Sequence, residues 1–192
     1  MILRLLGPLV ACLALAGCGL PKAQPPAPAP SATAATPPFV LTSSAFKHNE
    51  AIPVRYTADG QGISPPLVWA GAPAGKREFA LIMDDPDAPR ETFVHWVIYG
   101  IPAGTNSLPE NVPTTEVVPD SGAKQGKNSA RGIGYTPPSP PPGKVHHYIF
   151  HLYALDTLLT LPPGATADEL KKAMRGHVLG TAELTGTYQR TH

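Results

Sequence analysis

The sequence predicts a mainly β fold with one clear helix. Three observations carry that prediction. Proline makes up 25 of 192 residues, and proline breaks helix interiors. The apolar runs are short and punctuated by Gly, Pro, Asn and Asp, which is turn chemistry. A helical period occurs in one stretch near the C-terminus.

Taken in order, the chain opens with MILRLLGPLVACLALAGC. Arg4 leads an apolar run, Leu5–Leu15, of eleven residues, which is too short to span a bilayer. Small residues Ala16 and Gly17 follow. This is the layout of a secretory signal peptide over residues 1–17. The tetrad Leu15-Ala16-Gly17-Cys18 resembles the bacterial lipobox, which implies lipidation at Cys18. Gly19 follows where Asp would signal inner-membrane retention. The expected location is therefore the cell envelope, lipid-anchored on the periplasmic side of the outer membrane in a Gram-negative cell.

Pro21 to Pro38 contains seven Pro and six Ala in eighteen residues. Such a segment makes an extended spacer of roughly 3 Å per residue and no core. Residues 18–38 are read as the lipidated Cys and its linker, and residues 39–192 as one folded domain. Within it the expected strands are Phe39–Thr42, Val54–Thr57, Leu67–Trp69, Phe79–Met83, Phe93–Ile101, Val145–Leu155 and Gly180–Tyr188. Asp84-Asp85-Pro86-Asp87-Ala88-Pro89 reads as a turn between two of them. The long segment 102–143, rich in Gly and Pro, reads as a functional loop.

Thr166-Ala-Asp-Glu169 is a capping box. Leu170, Ala173, Met174 and His177 then form a stripe at helical spacing. Lys171, Lys172 and Arg175 suit the negative end of the helix dipole, and Gly176 suits the stop.

Composition excludes several functions. Fifteen basic residues against fourteen acidic ones give a net charge of +1, so there is no basic excess for a nucleic-acid backbone. Two cysteines make no disulfide scaffold. G-x-S-x-G, H-E-x-x-H and C-x-x-C are absent, and the Gly-rich runs fit neither a phosphate loop nor a dinucleotide fingerprint. No cofactor and no metal are expected.

Alternation on the strand Val145–Leu155 puts His146, Tyr148, Phe150, Leu152 and Ala154 on one face. That face is an apolar stripe with a polar pair, His146 and Tyr148, at its leading end, which is how a pocket mouth is built. His147 and His151 fall on the other face and read as structural or partly exposed. On Phe93–Ile101, alternation groups His95 with Val97 and Tyr99, opposite Val94, Trp96 and Ile98. An Asp of the 84–89 segment facing inward would fix an imidazole tautomer by accepting its N–H.

Several stretches together resemble the phosphatidylethanolamine-binding protein family, in its bacterial Raf-kinase-inhibitor-like branch. They are Ile63-Ser-Pro-Pro-Leu-Val-Trp69, Asp84 to Pro89, Val94-His-Trp-Val97, Gln125-Gly-Lys-Asn128, Gly134-Tyr135, Ser139-Pro-Pro-Pro-Gly143 and His146-His-Tyr148. The resemblance implies an antiparallel β-sandwich with a small anion- or headgroup-sized pocket lined by Asp85, His95, Pro141, His146 and Tyr148. It also implies cis bonds at Asp85–Pro86 and Ala88–Pro89. The chain departs from the family pattern at three places. His147 replaces a usual Arg, Ser139 stands where many bacterial members have Cys, and Thr136-Pro137 replaces Gly-Gly. Few residues follow the last strand, so the pocket should be more open than in eukaryotic relatives that cover it with a C-terminal helix.

The function expected is that of a non-enzymatic, membrane-tethered binding protein for a small anionic or phosphorylated ligand. The second reading is an inhibitor or interaction protein with a protein partner in the envelope. The third is a hydrolase built on Asp85 and His146, for which no nucleophile is evident in the sequence. If His95 and His146 converge with Asp85 and Tyr148, the site can gain positive charge just below neutral pH, because an adjacent carboxylate raises an imidazole's pKa.

Overall fold

The computed structural model describes residues 37–191. The signal peptide, Cys18 and nearly all of the linker lie outside the described residues. Eight strands form two antiparallel sheets. The smaller has the order β1 (Val40–Thr42), β2 (Leu67–Ala70), β5 (Ser107–Leu108). The larger has the order β6 (Lys124–Gln125), β4 (Phe93–Pro102), β3 (Glu78–Asp85), β7 (His146–Leu155), β8 (Val178–Tyr188). A single α-helix among the described residues, α1 (Ala167–Ala173), precedes β8.

The centre of the large sheet is covered on both faces, which is why Phe79–Met83 reads as an unbroken apolar run and all eight residues of β3 are buried. Phe79, Leu81 and Met83 face the small sheet and pack with Leu41, Leu67 and Trp69. Ala80 and Ile82 face the other way, toward Leu170 and Met174 of the helical segment. The capping box forms as expected: the Thr166 hydroxyl accepts from the Glu169 N–H and the Glu169 carboxylate accepts from the Thr166 N–H. His177 is not part of the buried stripe. The helix ends at Met174, and the His177 ring instead meets Asp156, 2.9 Å away, at the surface.

Four expectations are corrected. Val54–Tyr56 is a 3-10 turn, because Pro53 starts a tight bend that Thr57 closes with its N–H and hydroxyl on the Val54 carbonyl. Asp84 and Asp85 are not turn residues but the last two residues of β3. The 102–143 segment contains β5 and β6, two residues each. Finally, the peptide bonds at Pro86 and Pro89 are trans, the lower-energy isomer; the turn closes through the Asp87 N–H, which donates to Oδ1 of Asp85 at 2.8 Å.

One irregularity decides the site. Between the pairs Met83↔Trp96 and Asp84↔Val94, strand β4 has one residue more than β3, and that residue is His95. This is a β-bulge, which re-aims the side chain it carries. A second bulge, between the pairs at Phe79 and Leu81, falls at Tyr99 and Gly100, where Gly100 has φ 66°.

Candidate functional site

The bulge overturns the simple alternation on β4. His95 does not share the helix-side face of Val97 and Tyr99; it turns to the side of Trp96 and meets the ring of Tyr148 edge-on at 5.1 Å. Phe93 packs on its other side at 4.8 Å. On β7 the alternation holds: His146, Tyr148 and Phe150 are buried, while His147 is exposed.

Asp85, His95, His146 and Tyr148, from the ends of three adjacent strands, thus converge on a pocket of about 150 Å³. Its remaining wall is Ala88, Pro89, Phe93, Thr136, Pro137, Ser139, Pro140 and Pro141. All five residues assigned to the site in the sequence line it. Phe93, Thr136, Pro137 and Ser139 were not assigned. Proline loops carry no periodic signal, and the bulge that brings Phe93 round is a tertiary effect.

The polar geometry is tight. Nδ1 of His146 lies 2.7 Å from Oδ2 of Asp85, and Nδ1 of His95 lies 2.7 Å from the Thr136 carbonyl oxygen. A carbonyl only accepts, so Nδ1 of His95 carries the proton. The Tyr148 hydroxyl is buried and has no hydrogen-bond partner among the described residues. Burial pushes its pKa above the usual tyrosine value, and the charge of Asp85 adds to the shift, so it stays a donor.

Burial also lowers the pKa of His95 below 6.5, against the raising effects of the Thr136 carbonyl and of Asp85 and Asp84. The gain of positive charge open to the site is therefore disfavoured at His95. Its ring is sealed between Phe93 and Tyr148, and its N–H points to a neutral carbonyl.

Second-rank contacts hold these groups in place. Asp87 fastens the loop after β3 to the start of β7: its carboxylate accepts from the His147 ring at 2.7 Å, from the His147 backbone N–H at 3.0 Å and from Lys144 at 3.1 Å. The His147 hydrogen bond, opposed by slight burial and aided by Lys144, holds that carboxyl well below the usual range. His151, on the opposite face, sits between Glu183 (2.8 Å) and Asp84 (3.3 Å). Burial lowers its pKa, but the hydrogen bonds and charges of the two carboxylates outweigh this and raise it above 6.5.

The Gln125-Gly-Lys-Asn128 motif is scaffolding. Gln125, fully buried, accepts from the Trp96 indole at 2.8 Å and donates to the carbonyls of Pro113 and Thr115. Asn128 donates to the Gly134 carbonyl and to the Thr136 hydroxyl, which fixes the loop that supplies the His95 acceptor. No group of three His, Cys, Asp or Glu side chains among the described residues is placed to hold a metal ion.

Comparison with known proteins agrees with this architecture. Residues 42–189 match the family model for phosphatidylethanolamine-binding protein. A UPF0098 protein of Methanothermobacter thermautotrophicus is 51% identical over 150 residues, covering 78% of this chain and 98% of the relative. LppC of Mycobacterium tuberculosis, named as a candidate lipoprotein, is 37% identical over 191 residues, covering 92% of this chain and 90% of LppC. Among solved structures, a candidate homologue from Chlamydia trachomatis, CT736, superposes with a TM-score of 0.72 at 40% identity, covering 79% of this chain and 97% of its own. YbcL of Escherichia coli superposes with a TM-score of 0.75 at 30% identity, covering 80% of this chain and 99% of its own. With its sheets, its pocket and these likenesses together, the chain belongs to the phosphatidylethanolamine-binding protein family.

Proposed function

We propose that this chain is a binding protein of the bacterial cell envelope, tethered by lipid on Cys18, whose pocket takes one small oxyanion: a phosphoryl headgroup or a carboxylate. The observation that carries the reading is the convergence of Asp85, His95, His146 and Tyr148 on a pocket of about 150 Å³. A cavity of that size holds a ligand of about six heavy atoms. The apolar stripe beneath and the proline wall beside it leave few polar groups to fix the ligand, which is the usual economy of a small-molecule site.

Binding is favoured over hydrolysis. Ser139 lines the pocket with the Asp85–His146 pair, so a hydroxyl is available there. Residues 137–142, however, contain five prolines, which have no N–H. The wall around Ser139 therefore has no pair of backbone donors to stabilise an oxyanion intermediate. The likeness to LppC across most of this chain supports the tether.

Two experiments test the reading. Calorimetric titration of inorganic phosphate and of phosphoethanolamine should give saturable binding to wild type and none to a folded His146→Ala variant. Equal binding by both proteins would move the ligand elsewhere on the surface. Cys18→Ser should release the protein from the membrane fraction; a processed variant that stays in that fraction would remove the tether.

A further inference from the structure

The pocket is short of hydrogen-bond donors and has no cation. Among the described residues, no Lys or Arg lines it. Of the cations around it, Lys144 is paired with Asp87 and Arg190 with Asp59, and Arg90, which follows Pro89 of the wall, is exposed. Backbone donors are scarce as well. Pro137, Pro140 and Pro141 have none, the Thr136 N–H is bonded to the His95 carbonyl, and the Asp87 N–H is bonded to Asp85. Both imidazoles spend Nδ1–H on fixed acceptors, the Thr136 carbonyl and the Asp85 carboxylate. In a neutral ring the other nitrogen, Nε2, is then a lone pair. An anion entering this pocket would meet two lone pairs and the charge of Asp85, with few donors such as the Ser139 hydroxyl to offset them.

One proton resolves the mismatch. Placed on Nε2 of His146, it turns that lone pair into a donor and cancels the charge of Asp85. Resting on the oxyanion reading above, we propose that the pocket binds its ligand together with a single proton taken from solvent, held between Nε2 of His146 and the ligand oxygen. The site is thus selective for an oxyacid as anion plus H⁺, not for the bare anion.

The surroundings say which ring takes the proton. His146 faces Asp85 from β3, His95 from β4, Tyr148 two residues along its own strand, and Tyr188 opposite it on β8. Asp87 lies beyond, occupied by His147 and Lys144. The Tyr188 hydroxyl is held by Asp59, which also binds Arg190. Among the described residues, Asp85 is the one carboxylate hydrogen-bonded to either pocket imidazole, and its partner is His146. The His95 ring has a neutral carbonyl as partner and aromatic rings on both sides, and burial disfavours its charged form.

Acetate is the diagnostic probe, because its own carboxyl is fully ionised at about pH 7.5. Any proton taken up on binding has therefore come from solvent and is held in the complex. The full chain, kept in detergent, is titrated with acetate, inorganic phosphate and phosphoethanolamine in buffers of different ionisation enthalpy. The expected result for acetate is uptake of about one proton per anion, and an affinity falling about tenfold per pH unit above neutrality. In wild type at that pH, acetate should also convert the ¹⁵N signal of His146 Nε2 from the unprotonated to the protonated type. A folded His146→Gln variant should show no uptake.

Acetate binding with no proton uptake, or uptake that persists in His146→Gln, overturns the coupling and leaves the oxyanion pocket standing. Failure of all three anions to bind wild type overturns the pocket reading itself. Binding of phosphoethanolamine but not phosphate would identify a headgroup as the source of the oxyanion; the reverse would identify the free anion. In both cases the proton count decides the coupling.

Discussion

Asp85 and His146 join the end of β3 to the start of β7 through a 2.7 Å hydrogen bond, and neither side chain is more than 5% exposed. The Asp85 carboxylate also accepts from the Asp87 N–H, so one group fixes both the imidazole and the loop that follows. Asp85→Ala would leave both donors without a partner. A loss of about 1.5–3 kcal/mol is expected, read as a lower urea midpoint with an unchanged slope. A loss below about 0.5 kcal/mol would mean that the pair contributes nothing to the fold.

His95 and His151 should titrate on opposite sides of the unperturbed value of 6.5. For His151, whose folded pKa is raised, the stabilisation is complete below about 6.5 and is lost as pH rises through its folded value. For His95, whose folded pKa is lowered by burial, the sign reverses: folding is penalised as pH falls below about 6.5. Histidine ring NMR across pH 5–9 (about two units to each side) checks both at once. His151→Gln should cost more stability in mildly acidic than in alkaline buffer, and equal costs at both would remove the two-carboxylate staple.

Gln125 is the one side chain that satisfies Trp96, Pro113 and Thr115 together. Gln125→Leu keeps the volume but strands one indole N–H and two carbonyls. At roughly 1 kcal/mol or more for each of the three stranded groups, a loss of at least ~3 kcal/mol is expected. The tryptophan emission of the folded variant should also shift, because its indole loses its acceptor. Thermal unfolding beside wild type measures the first effect and fluorescence the second.

Gly126→Ala would place a methyl 2.1 Å from the Ala165 carbonyl oxygen and 2.7 Å from a Val97 methyl. The first neighbour is backbone, which cannot step aside. Overpacking of this kind costs about 1–3 kcal/mol or more. Gly104→Ala, with nothing within 4 Å, is the control and should stay within about 0.5 kcal/mol of wild type.

The sequence made some of this legible. β7 was readable because one face packs in the core and the other is mixed, so period two survives. α1 was readable because its capping box and apolar pair are local. β3 was cut short: Asp84 and Asp85 look like turn residues, and only pairing with Phe93 and Val94 keeps them in a strand. β5 and β6 have two residues each, too few for any period. His95 was named through the family resemblance, while alternation pointed it to the wrong face, because a bulge shows only in the register between two strands. Ser139 and Thr136 reach the pocket by the path of a loop, which no local pattern encodes.

The wall formed by residues 137–142 has a consequence for selectivity. Five of its six φ angles are locked by pyrrolidine rings, so this side of the pocket has little conformational freedom left to lose when a guest arrives. The usual ordering penalty of a loop is largely settled during folding. The same stiffness keeps this side of the cavity from swelling, so a bulkier guest would meet a wall that does not yield there.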